Sequence, residues 1–281
     1  MGASGLIEIK RRIKSIQSTK KITKAMGFVA TSKLKKVRNR LTNNDEYVKI
    51  IEEIVQETVN SLPDDYESLY TSNREGKKLY LVVSSDVGLC GGFNNNLISY
   101  FNDVIEDRDN SKIILVGRKG KAYFDKFKLK ADKYIVDMQS IPTSTEVNEL
   151  KYIIDELYTS GEVTEVNILF TFFKSPIRQI PKMVKLLPIE KKYDGQDKYI
   201  IEPNIDTVFK NAINLYIESK LMECLLQSRV SEESSRKIAM DGATDNATEM
   251  LRVLGIKFNR IRQSIITQEI SEIVGGAEAQ K

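Results

Sequence analysis

The chain has 281 residues and is 41% hydrophobic, enough for one or two domains with a buried core. It lacks any run near the roughly 18 uninterrupted apolar residues of a membrane span, so no span is expected, and it contains no histidine, which removes the commonest general base and most zinc sites. The net charge of +4 hides an asymmetry: residues 1–41 hold 12 Lys/Arg against the single acid Glu8 (12 − 1 = +11), leaving 31 − 38 = −7 elsewhere, and such a field calls for an acidic partner.

The start, MGASGLIEIKRR, has no apolar signal core, and no cleavable presequence is expected. From Ile9, alternating steps of four and three reach Ile13, Ile16, Lys20, Thr23, Gly27, Ala30, Leu34, Val37, Leu41, Asn44, Val48, Ile51 and Val55. That is a heptad seam, which reads as interrupted at Lys20–Gly27, where Ile22, Met26 and Val29 offer a shifted stripe. All six prolines lie between Pro63 and Pro203, so both ends are free to form long helices.

In the middle, LYLVVSSD (79–86) and KIILVGRKG (112–120) read as strands, each followed by a helix-like stretch. A helix carrying Tyr152, Ile153, Leu157 and Tyr158 precedes two further strands, VNILFTFF (166–173) and PKMVKLLPIE (181–190). This succession predicts a largely parallel sheet with helices on its faces. The loop SSDVGLCGGFNNNL (84–97) sits where phosphate binds in dinucleotide folds, but Gly88, Gly91 and Gly92 give neither GxGxxG nor a Walker sequence. It reads as a tight turn in which Asp86 and the asparagines satisfy backbone N–H groups. GRKGKAYF (117–124) reads as a turn before a basic helix start. The pairs Glu52/Glu53 and Glu232/Glu233 read as solvated helix-surface carboxylates. Cys90 and Cys224 have no metal or CxxC spacing and are expected to be free thiols in a reducing compartment.

In the last segment, Ala243, Ala247, Met250, Leu254, Phe258, Ile261 and Ile265 form a second seam, with Gly242 and Gly255 offering a small flank for close helix approach. Two such helices cannot bury their stripes on one small domain, so they are expected to pack on each other. The expected fold is α/β: a long antiparallel coiled coil of terminal helices (1–62 and 204–281) with a Rossmann-like α/β domain (77–200) inserted between them.

Four blocks, IKRRIKSIQSTKKITKAMGFVATSKLKK (9–36), SSDVGLCGGFNNNL (84–97), YIIEP (199–203) and SRVSEESSRKIAMDGATDNATEML with NRIRQSIITQEISEIVGGAEA (228–251, 259–279), resemble in order the gamma subunit of F-type ATP synthases. The resemblance implies a central rotor that catalyses nothing itself and carries no cofactor or metal. It would couple ion flow through a membrane ring of c subunits to ATP synthesis or hydrolysis in a hexamer of alpha and beta subunits, with the epsilon subunit as a further partner. It would lie on the cytoplasmic face of a bacterial cell membrane, held there through the complex. By the same resemblance, Met26 faces an acidic lever loop of the catalytic subunits, with Lys20, Lys21, Lys24 and Lys33 nearby. Arg262, Gln263 and Thr267 would grip the catalytic subunits, and Tyr199 and Glu202 would lie by the c ring and epsilon. Gly27 departs from the larger residue more usual after the methionine, and no regulatory cysteine pair is present in the middle domain. Two rival readings stand beside this one: a basic coiled-coil nucleic-acid-binding protein, with few interleaved aromatics to support it, and a nucleotide-binding α/β enzyme without a phosphate fingerprint.

Overall fold

A computed structural model describes residues 2–63, 66–191 and 201–278. Two helices, α1 (Gly2–Asn60) and α5 (Ile205–Glu278), bracket a five-stranded sheet. By contacts the chain forms two units, one of residues 1–29 with 237–281 and one of residues 30–236.

The larger unit holds β1 (Lys78–Val83), α2 (Phe93–Val104), β2 (Ser111–Val116), α3 (Gly120–Lys126), β3 (Lys133–Ile135), α4 (Ser144–Thr159), β4 (Glu165–Ser175) and β5 (Arg178–Leu187). The sheet order is β3-β2-β1-β4-β5; β5 alone is antiparallel, joined to β4 as a hairpin. The three-residue β3 has too little apolar pattern to stand out in the sequence. Because side chains alternate along a strand, each apolar run feeds two cores. Leu79, Leu81, Val83, Ile114, Val116, Val166 and Ile168 pack with α4 and with the stretches of α1 and α5 in this unit. Tyr80, Val82, Ile113, Leu115 and Leu169 pack under α2 and α3. α4 starts at a capping box: Thr143 accepts from the Glu146 N–H, and the Glu146 carboxylate accepts from the Thr143 N–H.

Within the larger unit α1 and α5 run antiparallel, as Lys220 shows by reaching Glu52 at 2.6 Å and Lys33 by facing Glu233 at 3.9 Å. In the smaller unit the hydroxyls of Thr23 and Thr244 meet at 2.8 Å. The α1 seam runs without interruption: Thr23 and Gly27 are buried on it and Lys20 is half-buried, while Ile22 and Val29 are 60% and 56% exposed and Met26 is only partly covered. The shifted stripe expected there is therefore not the seam. Small and hydrogen-bonding residues keep the four-three phase where large apolar ones do not fit. A Cβ on Gly27 would lie 3.3 Å from Asp241 Oδ1 and 3.7 Å from the Met240 Cβ, so close approach occurs at this glycine. Gly242 and Gly255, expected to provide it, face open space.

The α5 seam also needs correction. Met240, Thr244, Ala247, Leu251, Leu254, Phe258, Ile261 and Ile265 are buried or half-buried in strict four-three alternation, and Met250 is 55% exposed. Leu251 takes the place assigned to Met250, because a constant heptad phase keeps one stripe on the partner helix where two consecutive steps of four would rotate away from it.

Candidate functional site

Two surfaces and one crevice carry the chemistry. The first surface is the outside of α1 in the smaller unit. Lys21 and Lys24 are exposed, Lys20 and Met26 half-buried, and the Lys24 ammonium lies 5.9 Å from the centre of the Phe28 ring. Among the described residues of 1–29, Arg12 has a carboxylate partner, Glu8 at 3.0 Å, and Lys20, Lys21 and Lys24 have none. Interleaved with these cations, Ile22, Phe28 and Val29 are exposed, Phe28 by 67%. In sequence Ile22 and Val29 read as a shifted seam and Phe28 did not stand out, although all three are out of phase with the heptad.

The second surface is the end of α5. Arg262, Gln263 and Thr267 are all exposed, flanking the half-buried Ile261 and Ile265. The Thr267 hydroxyl donates to the Gln263 carbonyl at 2.9 Å, leaving its oxygen lone pairs outward. Beyond Ile265 no side chain through residue 277 is covered, and Ile266, Ile270, Ile273 and Val274 form an exposed stripe at helical spacing. Of the two expected foot residues, Glu202 is exposed and Tyr199 lies outside the described residues.

The crevice lies at the carboxyl ends of β1 and β4, where the strand order reverses. In open α/β sheets that switch point is where ligands bind. Here α5 occupies it. Ser228 Oγ donates to the Val83 carbonyl at 3.2 Å, Ser231 Oγ to the Thr171 carbonyl at 2.8 Å, and Gln227 Oε1 accepts from the Phe173 N–H at 3.2 Å. The β1–β4 ladder ends at Val82 and Leu169, and the serine supplies a donor to Thr171 beyond it. Ser234 Oγ donates to the Pro176 carbonyl at 2.9 Å, at the β4–β5 turn.

On the other side of α5 stands the glycine-rich loop. Asp86 satisfies backbone N–H groups as expected, its Oδ1 accepting from those of Arg118 and Asp137 at 3.0 and 3.1 Å, and its Oδ2 accepts from Arg229 at 3.2 Å. Asn94 closes the loop, accepting from the Ser85 N–H and donating to the Ser85 hydroxyl. Arg236 donates to the carbonyls of Val87 and Gly88 at 2.9 and 3.3 Å. Glu232 bridges Arg229 and Arg236 at 2.8 and 2.5 Å, and Glu233 pairs with Arg236 at 2.8 Å. Both glutamates are buried, at 3% and 6% exposure, contrary to the expectation that they are solvated. Carboxylates this far from water persist only when charges and donors surround them. Glu53 is exposed as expected, whereas Glu52 is half-buried against Lys220.

Burial works against charge on both arginines, and their carboxylate partners overcome it, raising both pKa values. Burial raises the pKa of Glu233 against the pull of Arg236. The thiol of Cys90, in the same loop, is buried and pushed up from its ordinary value by that burial, as is Cys224. GRKGK is a strand-to-helix turn: Gly117, at φ +95, leaves no room for a side chain against the Ser84 carbonyl, and Gly120 none against its hydroxyl.

Comparison with known proteins gives a consistent answer. The family profile described as ATP synthase matches residues 5–280. The ATP synthase gamma chains of Clostridium botulinum and Clostridium beijerinckii are 48% and 46% identical to this chain, with both partners covered over their full length. A chain of the Euglena gracilis mitochondrial ATP synthase has the same fold, with a TM-score of 0.74 at 17% identity over 99% of this chain and 95% of its own. A central-stalk and c-ring structure of the Tetrahymena thermophila enzyme gives 0.61 at 24% identity over 79% of this chain and 99% of the other. With such identity to the clostridial proteins along its whole length, the chain belongs to the family of ATP synthase gamma chains.

Proposed function

We propose that the chain is the central rotor of an F-type ATP synthase, coupling ion flow through a c-subunit ring to ATP synthesis or hydrolysis in a hexamer of alpha and beta subunits. The observation that carries this reading beyond family membership is the outer face of α1, where Lys20, Lys21 and Lys24 have no acidic partner among the described residues and stand among exposed Ile22, Phe28 and Val29. A surface that is cationic and apolar at once suits an acidic protein loop with apolar neighbours. The exposed Arg262, Gln263 and Thr267 suit hydrogen-bond contact with the same hexamer, and Tyr199 and Glu202 are assigned to the c ring and epsilon side by family likeness. The division into 1–62, 77–200 and 204–281 follows the same logic: terminal segments for rotation inside the hexamer and a middle domain for the ring.

In this reading the chain does no chemistry of its own. Filling of the sheet's ligand crevice by Gln227, Ser228, Ser231 and Arg229 supports that view over a nucleotide-binding enzyme. No helix among the described residues is long and apolar enough to cross a membrane. Attachment to the cytoplasmic face of a bacterial membrane would come through the partners. Co-expression with clostridial alpha and beta subunits tests the reading: an ATPase containing this chain should purify. Failure to assemble, together with salt-dependent DNA binding by the chain alone, would instead favour the nucleic-acid reading.

A further inference from the structure

A rotor whose grip on the ring lies in a sheet domain must pass torque from that sheet into a helix. Apolar contact alone is poorly suited to this, because it is non-directional and one packed row can slide past the next. Hydrogen bonds and arginine–carboxylate pairs are directional and fix a rotational register.

We infer that the filled crevice is the torque joint of the rotor, in which residues 227–236 of α5 are clasped from two sides by the sheet domain; the inference rests on the rotor reading. On one side Gln227, Ser231 and Ser234 bond to the backbone of β4 and its turn, and Ser235 Oγ meets Gln179 Oε1 of β5 at 3.1 Å. On the other side Arg229 and Arg236 bond to Asp86 and to the carbonyls of Val87, Gly88 and Met138 in the loops after β1 and β3. Ser228 holds the middle, on the last carbonyl of β1. Turning α5 about its axis in either direction lengthens one set of bonds as it compresses the other, so the clasp resists both synthesis and hydrolysis torque. Most of its α5 side chains are buried: Ser231 is fully inaccessible, Ser228, Ser234, Arg229 and Arg236 are all under 9% exposed, and Ser235 is half-buried. At the buried Ser228 and Ser231 bonds water therefore cannot take over a broken bond without the joint opening.

The inference predicts a rotor that slips under load and turns normally without it. The test uses the assembled enzyme carrying Ser228→Ala, Ser231→Ala and Ser234→Ala together, which remove the hydroxyls and little volume. Each lost buried bond should raise the disengaged fraction about fivefold. ATP hydrolysis without load should stay near that of the unsubstituted enzyme, while ions pumped per ATP in vesicles fall about twofold or more. A bead attached through Tyr152→Cys, on an exposed side chain of the sheet domain, should stall at a lower torque. General misfolding would reduce assembly and unloaded hydrolysis and would not produce this load-dependent split. Should the triple variant not assemble, Ser234→Ala alone is decided by the same two readouts. Unchanged stall torque and pumping ratio in a working enzyme overturn the clasp and leave the rotor reading intact. Failure of the unsubstituted chain to assemble with alpha and beta subunits overturns the rotor reading, and the clasp with it.

Discussion

Arg229 holds three partners at once: the half-buried Asp86, the buried Glu232 and the Met138 carbonyl. Replacing it with methionine keeps much of the volume but leaves the buried Glu232 and the half-buried Asp86 with their shared cation gone. Thermal unfolding of Arg229→Met should show a loss of about 3–5 kcal/mol, the range for breaking one side of a buried pair. A loss below about 1 kcal/mol would mean that the network is not closed. Glu146 supplies a different residue-scale test. Burial works to raise its pKa, but bonds from the Gln139 and Thr143 N–H groups outweigh it and hold the carboxyl below its ordinary 4.5. A depressed carboxyl adds stability above its unfolded pKa, and that stability is lost as pH falls through the folded value. Acid unfolding of Glu146→Gln should accordingly show a flatter pH dependence below about pH 4.5 than the unsubstituted chain. An identical acid limb would dismiss the contribution. The capping box was legible as T-x-x-E. The burial of Glu232 and Glu233 was not: their arginine partners are three or four residues away on α5, but the loop those arginines bind, at Asp86 and Val87, lies more than a hundred residues away along the chain.

At the scale of elements, both helices were legible because a heptad pattern and missing prolines need no tertiary information. Their phase was only partly legible. In α5, Met250 and Leu251 are adjacent and equally apolar, and only the partner helix selects between them. Hydrogen exchange over residues 237–265 should show lost protection in Leu251→Ala, while Met250→Ala stays within about 0.5 kcal/mol, as exposed substitutions do. Equal effects would place the seam elsewhere. Ile261→Asp puts a charge on the same half-buried stripe and should open the helix pair of the smaller unit further than Leu251→Ala does. On α1 the same ambiguity had a functional side. Ile22 and Val29, which look like a competing seam, are outward-facing and available to a partner.

For the whole molecule, the decisive quantity is the distribution of charge. The +11 of residues 1–41 is kept together on one stretch of α1, with little internal neutralisation among its described residues. Reversing Lys20, Lys21 and Lys24 to glutamate changes the local charge by −6 without touching the buried Thr23 and Gln227–Arg236 contacts. Assembly with alpha and beta subunits should weaken, most at low salt, because screening over about 10 Å at 0.1 M masks such fields. Unaltered assembly and ATP-driven pumping would remove charge pairing from the account.

The sequence by itself determined the two helices, the strands β1, β2, β4 and β5 and the basic outer face, since each depends on the spacing of residues close along the chain. Tertiary structure alone decided the helix phase at Lys20–Gly27 and Met250–Leu251, the burial of Glu232 and Glu233, and the filling of the sheet crevice by α5. Those outcomes depend on which atoms meet across large sequence separations, and a carboxylate or serine has no local mark of the partner that will cover it. The basic face that an acidic partner was expected to meet remains on the outside, now with apolar company at Ile22, Phe28 and Val29. The glycine loop, open in sequence to a phosphate reading, is occupied instead by two arginines of the chain's own last helix.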